Sequence, residues 1–230
     1  MNDPATEPVS VLIFDVNETL LDIEHLRPQF DRIFGDGAVL RTWFGELVMY
    51  SMTLTLSGCY VDFFTLGRAV LQMVAEIRGV QLSDDDREAL AAAMATMPAH
   101  PDVAPGLARL RESGYRLVTL TNSPHRSDVP SPLDNAGLGG FIERQFTVDS
   151  SRVYKPSAQL YRAVAAELAV PESACMMVAA HAWDTIGAQG AGLRGALITR
   201  PGNAALMAPG VPQPTVVAPD LIELAALLAR

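Results

Sequence analysis

Near the start of the chain, Val11-Leu12-Ile13-Phe14 hands over directly to Asp15, a polar turn and Thr19. A short apolar run rich in β-branching reads as a buried parallel strand. In open α/β sheets, ligands bind just outside the carboxyl ends of the strands. An acid at that place suits nucleophilic or acid–base chemistry, although Asp is also a common helix cap. Three further polar stations weigh the balance towards chemistry. Thr121-Asn122 follows the run ending at Leu120, Lys155 follows the run ending at Val148, and His181-Ala182-Trp183-Asp184 follows the run ending at Val178. If these runs are parallel strands of one sheet, all four stations share an edge.

The elements that must position these residues alternate along the chain. Strands are expected over 116–120, 146–148, 175–179 and 194–198, with helices over 106–113, 161–168, 184–190 and 220–228. Such alternation implies right-handed crossovers and a parallel sheet. Between the first strand and this series lies a block with no strand signal. Helical patterns cover 22–32, with Pro28 interrupting, then 38–56, 61–78 and 84–97, the last opened by the capping run Ser83-Asp84-Asp85-Asp86. The expected fold is α/β: a Rossmann-like parallel sheet core (1–20 and 100–230) with an inserted all-helical cap domain (21–99) lying over the active edge.

Composition narrows the function classes. The net charge of −9 over 230 residues argues against a nucleic-acid footprint, which needs clustered Lys and Arg. One local cation still suffices for a small anionic substrate. No run approaches the roughly 20 apolar residues that span a bilayer, so no membrane partner is expected. Met1-Asn2-Asp3-Pro4 has neither the basic region nor the apolar core of a signal peptide. The two cysteines, Cys59 and Cys175, are far apart and in apolar company, which suits a reducing cytoplasm.

The chain resembles the haloacid dehalogenase superfamily, and within it the type II (L-2-haloacid) dehalogenases. The carrying motifs are Phe14-Asp15-Val16-Asn17-Glu18-Thr19-Leu20, Leu120-Thr121-Asn122, Val153-Tyr154-Lys155-Pro156 with Tyr161, and Ala182-Trp183-Asp184. The resemblance implies that Asp15 is a nucleophile that attacks C2 of a short 2-halocarboxylate and forms an ester. Water then attacks the Asp15 carboxyl carbon and releases a 2-hydroxy acid. Lys155 would keep Asp15 ionised, Thr19 would hold one carboxylate oxygen, and Asp184 would orient or deprotonate the water. Thr121 would bind the nucleophile or the substrate carboxylate, and the Val16-Asn17 turn would offer backbone N–H groups to an anion. Asn122, Tyr161 and Trp183 complete the expected substrate surroundings.

Most members of the superfamily are Mg²⁺-dependent phosphatases with a second aspartate two residues after the nucleophile. Here that position is Asn17, which has no useful proton to exchange, and Asp184 stands without a second acid beside it. No metal and no cofactor are expected. An atypical phosphatase, or a hydrolase of a non-halogenated small carboxylate, is the alternative, and a binding protein on a retired enzyme fold is the non-catalytic one.

The sequence departs from the type II pattern twice. Where that family carries Trp-Arg in its long cap helix, this chain has Trp43-Phe44, with Arg41 three residues before Phe44 on the same helix face. Arg41 is then either a substitute halide partner or a solvated surface charge. Phe63 matches an aromatic of the halide pocket. Ala179-Ala180-His181 stands in place of Ser-Ser-Asn, so His181 is a candidate base for ester hydrolysis, a cationic halide partner, or a neutral side chain bonded to a strand-end carbonyl. A homodimer through the cap is a further implication of the resemblance, compatible with the apolar density of 38–56.

Overall fold

The computed structural model describes residues 8–125 and 128–229; the stretch 1–7, where a signal peptide was not expected, lies outside them. Among the described residues six strands form one parallel sheet: β1 (Val11–Phe14), β2 (Arg116–Thr121), β3 (Arg144–Thr147), β4 (Cys175–Ala179), β5 (Arg194–Ile198) and β6 (Val216–Ala218), in the order β3-β2-β1-β4-β5-β6. The order reverses direction at β1, which pairs with β2 on one side and β4 on the other. Helices cover both its faces, so every residue of β1 and β4 is buried, as their unbroken apolar runs require. Phe14 is level with Thr119 and Val178. Asp15 therefore leaves β1 level with Leu120 and Ala179 of the neighbouring strands, at the topological switch point where open α/β sheets bind ligands.

Between β1 and β2 the chain is helical. A 3₁₀ turn (Ile23–Leu26) leads into α1 (Arg27–Phe34), followed by α2 (Val39–Leu56), α3 (Phe63–Ile77) and α4 (Asp84–Ala95). Asp62 caps α3 by accepting from the N–H groups of Phe64 and Thr65, and Ser83 with Asp86 forms a reciprocal capping box on α4. Trp43 joins α2 to α3 through its indole N–H, which donates to the Gly67 carbonyl at 3.0 Å. The two connections to the sheet lie side by side: the Asp22 N–H donates to the Pro98 carbonyl at 2.8 Å, and the His100 N–H to that of Leu20 at 3.0 Å. The remaining helices are α5 (Val103–Glu112), the short α6 (Pro132–Asn135), α7 (Ala158–Glu167), α8 (Ala182–Gly190) and α9 (Leu221–Leu228).

Two elements differ from expectation. Pro28 does not interrupt a helix; it occupies the first turn of α1, where a missing N–H costs nothing. Strand β6 was not foreseen. It is three residues long, pairs only with β5 and leaves Val217 about half exposed, so it carries too short a pattern to read.

One close approach ties the fold to the site. Gly187 of α8 lies against the Pro156 loop, and a Cβ there would stand 2.9 Å from the Pro156 carbonyl oxygen and closer still to its ring. Ala would ordinarily strengthen a helix interior. Here Gly187→Ala should instead destabilise the fold by about 1–3 kcal/mol through overpacking, visible as a lowered melting temperature, and should cost activity because the displaced loop carries Lys155.

Candidate active site

Asp15 emerges from β1 with its backbone N–H still donating to the Val178 carbonyl at 3.0 Å, so the sheet ladder fixes its direction. Its carboxylate is nearly closed off from solvent. Oδ1 accepts from the Lys155 ammonium at 2.8 Å and Oδ2 accepts from the Thr19 hydroxyl at 2.8 Å. Thr19 is itself set by the Ala180 N–H, which donates to its Oγ1 at 2.9 Å.

Lys155 uses all three ammonium donors, on Asp15, on Asp184 Oδ2 at 2.6 Å and on the Leu120 carbonyl at 3.0 Å. Its own backbone N–H donates to the Asn122 side chain at 3.0 Å. Burial alone would push the Asp15 carboxyl up, but Lys155 and His181 outweigh it and hold the group well below the usual carboxylate range. Burial likewise disfavours the Lys155 ammonium, yet the charges of Asp15 and Asp184 leave its pKa raised. For Asp184, burial and the like charge of Asp15 prevail over Lys155 and raise its pKa.

A second network adjoins the first, and its centre, Glu18, was quoted within the sequence motif without a role. Glu18 is buried and adopts a left-handed backbone, φ 68°, a conformation that costs a non-glycine residue about 1–2 kcal/mol. Its carboxylate accepts from His181 Nε2 at 2.8 Å, from Asn203 Nδ2 at 2.9 Å and from the Arg41 guanidinium. Arg200 pins the same turn by donating to the Thr19 carbonyl at 3.0 Å while its guanidinium pairs with Asp102 at 2.7 Å. The available signals were an acid inside a turn that otherwise needs only small polar residues, and an arginine two residues after the strand ending at Ile198.

His181 lies between the two networks. Nδ1 is 3.4 Å from Asp15 Oδ2, at ion-pair distance but without a hydrogen-bond partner among the described residues. Its ring stacks on Trp183 with centroids 5.2 Å apart and meets Phe44 at 5.6 Å. Burial lowers its pKa, but the facing carboxylates of Asp15 and Glu18 more than offset this and bring it up to about 9. These two carboxylates thus favour the imidazolium form of the ring.

Other expected residues take different places. The Arg41 guanidinium is neither a free surface charge nor turned into a pocket; it is engaged by Glu18, by Glu24 at 2.8 Å and by the Pro201 carbonyl at 3.3 Å. Thr121 does not bond the nucleophile; its hydroxyl accepts from the Ser123 N–H at 3.1 Å and closes the turn after β2. Tyr161 is fully buried and donates to Asp184 Oδ1 at 2.6 Å, so it supports the acid and does not line a pocket. With Lys155 on its other oxygen, Asp184 has no oxygen turned to solvent. Trp183 has its ring centre 5.6 Å from the Lys155 ammonium.

A cavity of about 320 Å³ lies between the helical block and the sheet edge. Asn17, Phe63 and Trp43 border it, as do Ser123 and the apolar Leu71 and Met94. Asn17 donates to the Ser123 hydroxyl at 3.3 Å on the border of this space. Val16, buried, closes the turn through its carbonyl, which accepts from Leu20 and Leu21.

The donor set does not fit a divalent cation. The space between the Asp15 and Asp184 carboxylates holds the Lys155 ammonium, and the residue two positions after Asp15 is an amide bonded to Ser123.

Because the folded pKa of His181 lies above its ordinary 6.5, its ion pairs stabilise the fold fully below pH 6.5 and are lost as pH rises through about 9. The contribution is on the order of 3 kcal/mol. Chemical denaturation of the wild type and of His181→Gln should therefore show a stability gap that narrows between pH 6.5 and 9.

Comparison with known proteins agrees with this geometry. The family model for haloacid dehalogenase-like hydrolases matches residues 9–192. The (S)-2-haloacid dehalogenase 1 of Pseudomonas sp. (strain CBS-3) is 28% identical over 196 residues, covering 84% of this chain and 86% of that one. A solved defluorinating L-2-haloacid dehalogenase superposes with a TM-score of 0.81 at 26% identity, over 100% of this chain and 99% of the other. The L-2-haloacid dehalogenase of Xanthobacter autotrophicus, solved with chloropropionic acid covalently bound, shares the fold with a TM-score of 0.84 at 23% identity, over 96% of this chain and 98% of its own. The match over residues 9–192, on a parallel sheet with a helical block inserted after its first strand, shows that this chain belongs to the haloacid dehalogenase-like hydrolase family.

Proposed function

We propose that this hydrolase removes halide from short 2-haloalkanoic acids and yields 2-hydroxy acids. The observation that carries this reading is the Asp15 carboxylate: buried, kept ionised by an ammonium group, and set at the sheet edge by Thr19. A carboxylate stripped of water is a competent nucleophile toward a carbon that bears a leaving group. Asp15 attacks C2, the carbon–halogen bond breaks with its electron pair on the halide, and an aspartyl ester forms. Water attacking the carboxyl carbon then regenerates Asp15 and releases the 2-hydroxy acid. The relatives with this named activity, and one described as defluorinating, support the assignment.

Within it, Lys155 keeps the nucleophile charged, Asp184 and Tyr161 hold Lys155 in line, and Asn122 fixes the loop that delivers it. Asn17, Ser123 and the Val16-Asn17 backbone receive the substrate carboxylate, and Phe44, Phe63 and Trp183 wall the reacting carbon. The substrate is a small anion that enters beneath the cap, taken as 21–99 with the core as 1–20 and 100–230. A homodimer belongs to the same proposal, supported by exposed Met49 and Leu56 on one face of α2. A cytoplasmic setting is supported by free thiols at Cys59 and Cys175. Among the described residues no helix is long and apolar enough to cross a membrane.

The test is halide release from 2-chloropropionate, bromoacetate and fluoroacetate. The wild type should release halide at an unchanged rate after chelation of divalent ions, and Asp15→Asn should lose at least about 10⁴-fold in rate, as expected when a covalent nucleophile is removed. Release from none of the three, or Mg²⁺-stimulated release of phosphate from a phosphate ester, would contradict it.

A further inference from the structure

Once Asp15 is an ester, a water must attack its carboxyl carbon and needs a base. Asp184 is unsuited, since Tyr161 and Lys155 occupy its two oxygens and it has no exposed surface. Lys155 has only donors to offer. The remaining titratable group beside the Asp15 carboxylate is His181, whose buried Nδ1 lies 3.4 Å from Oδ2 and has no hydrogen-bond partner among the described residues. Its ring is held on three sides: Nε2 donates to Glu18 at 2.8 Å, and Trp183 and Phe44 pack its faces at 5.2 and 5.6 Å. Glu18 is in turn fixed by Asn203, by Arg41 and by its left-handed backbone. Strained backbone of this kind persists only where surrounding contacts over-determine it, and it clusters at functional positions.

Given the aspartyl-ester reading, on which this rests, we infer that His181 is the base that activates the hydrolytic water and that Glu18 is the residue that positions it. The bond from Nε2–H to Glu18 leaves Nδ1 as the nitrogen that exchanges a proton above the Asp15 carboxyl. The nucleophile's own charge sets the timing. While Asp15 is a carboxylate, two anions face the ring and hold it as imidazolium. Esterification removes one of them, and the Nδ1 proton leaves to solvent as the halide departs. The neutral Nδ1 then takes a proton from the attacking water. That proton passes to the departing alkoxide oxygen of the product, and the second water proton returns to Nδ1 as Asp15 becomes a carboxylate again. The sum is one halide and one proton released for each water consumed.

The charged groups around the imidazole are Asp15 from the end of β1 and Glu18 from the following turn. Lys155 and Arg41 each lie one ion pair further out, while Phe44 from α2 and Trp183 from α8 bring no charge.

Rapid-quench turnover of 2-bromopropionate tests this, with bromide and the intact-protein mass of the ester followed separately. His181→Asn should give a full bromide burst and an ester that decays at least about 100-fold more slowly. The wild-type ester should decay faster as pH rises, and Glu18→Gln should move that midpoint down by about one to three pH units, because the anion that favours imidazolium is gone. Wild-type ester decay in His181→Asn, or a lost burst in that variant alone, would overturn the base assignment. Should that variant fail to fold, the Glu18→Gln profile still decides: an unchanged midpoint overturns the positioning role. Absence of a burst in the wild type would be a different result, refuting the dehalogenase reading beneath both.

Discussion

The site depends on one buried ammonium. Lys155 stands between the carboxylates of Asp15 and Asp184, and its third donor goes to a strand-end carbonyl. Taking three charges out of water is costly, and it is tolerated only where geometry and hydrogen bonding are nearly complete. That demand explains much of the surrounding architecture. Asn122 accepts from the Lys155 backbone, Tyr161 supports the far acid, Thr19 supports the near one, and Gly187 lets α8 approach the loop that carries the lysine. Removal of Lys155 would leave two buried carboxylates unmatched, a loss of about 3–5 kcal/mol in comparable cases.

The second layer follows the same logic. Glu18 brings a third carboxylate into the interior, and His181 and Arg41 meet it. Three carboxylates are thus balanced by three cations in a region shielded by Phe44, Trp183 and the helical block. Balance makes the site responsive to chemistry. Neutralising Asp15 by ester formation would remove one carboxylate from this set, and of the two cations that face it, Lys155 and His181, the imidazolium is the one that gives up a proton more readily. The low polarity that makes Asp15 reactive thereby also couples the two half-reactions.

Much of this was legible in the chain because the sheet is parallel and buried. Unbroken apolar runs such as Val11–Phe14 and Cys175–Ala179 mark central strands, and parallel pairing brings the residues after them to one edge. That is why Asp15, Lys155 and Asp184 could be associated across 140 and 29 residues of separation. What stayed hidden was of two kinds. Strand β6 is short and at the sheet edge, so no periodic pattern accompanies it. Glu18 and Arg200 owe their roles to long-range pairing, with His181 and Arg41 for the first and with Asp102 for the second, which local spacing does not encode. The pairing of Asp184 with Lys155 follows from their shared sheet edge, whereas the engagement of Arg41 by Glu18 and Glu24 does not, since a side chain's direction depends on which charges lie within reach after folding.

The central claim is that the Asp15 carboxylate, held ionised by Lys155, itself bonds to the substrate carbon. A single turnover of excess enzyme with 2-chloropropionate in ¹⁸O-enriched water, followed by peptide mass spectrometry, examines this directly. The solvent isotope should appear in the Asp15 carboxyl, and the first 2-hydroxy acid released should carry ordinary oxygen. Label found instead in the first-turnover product, with Asp15 unlabelled, would mean that water attacks the substrate itself and that Asp15 forms no bond to it.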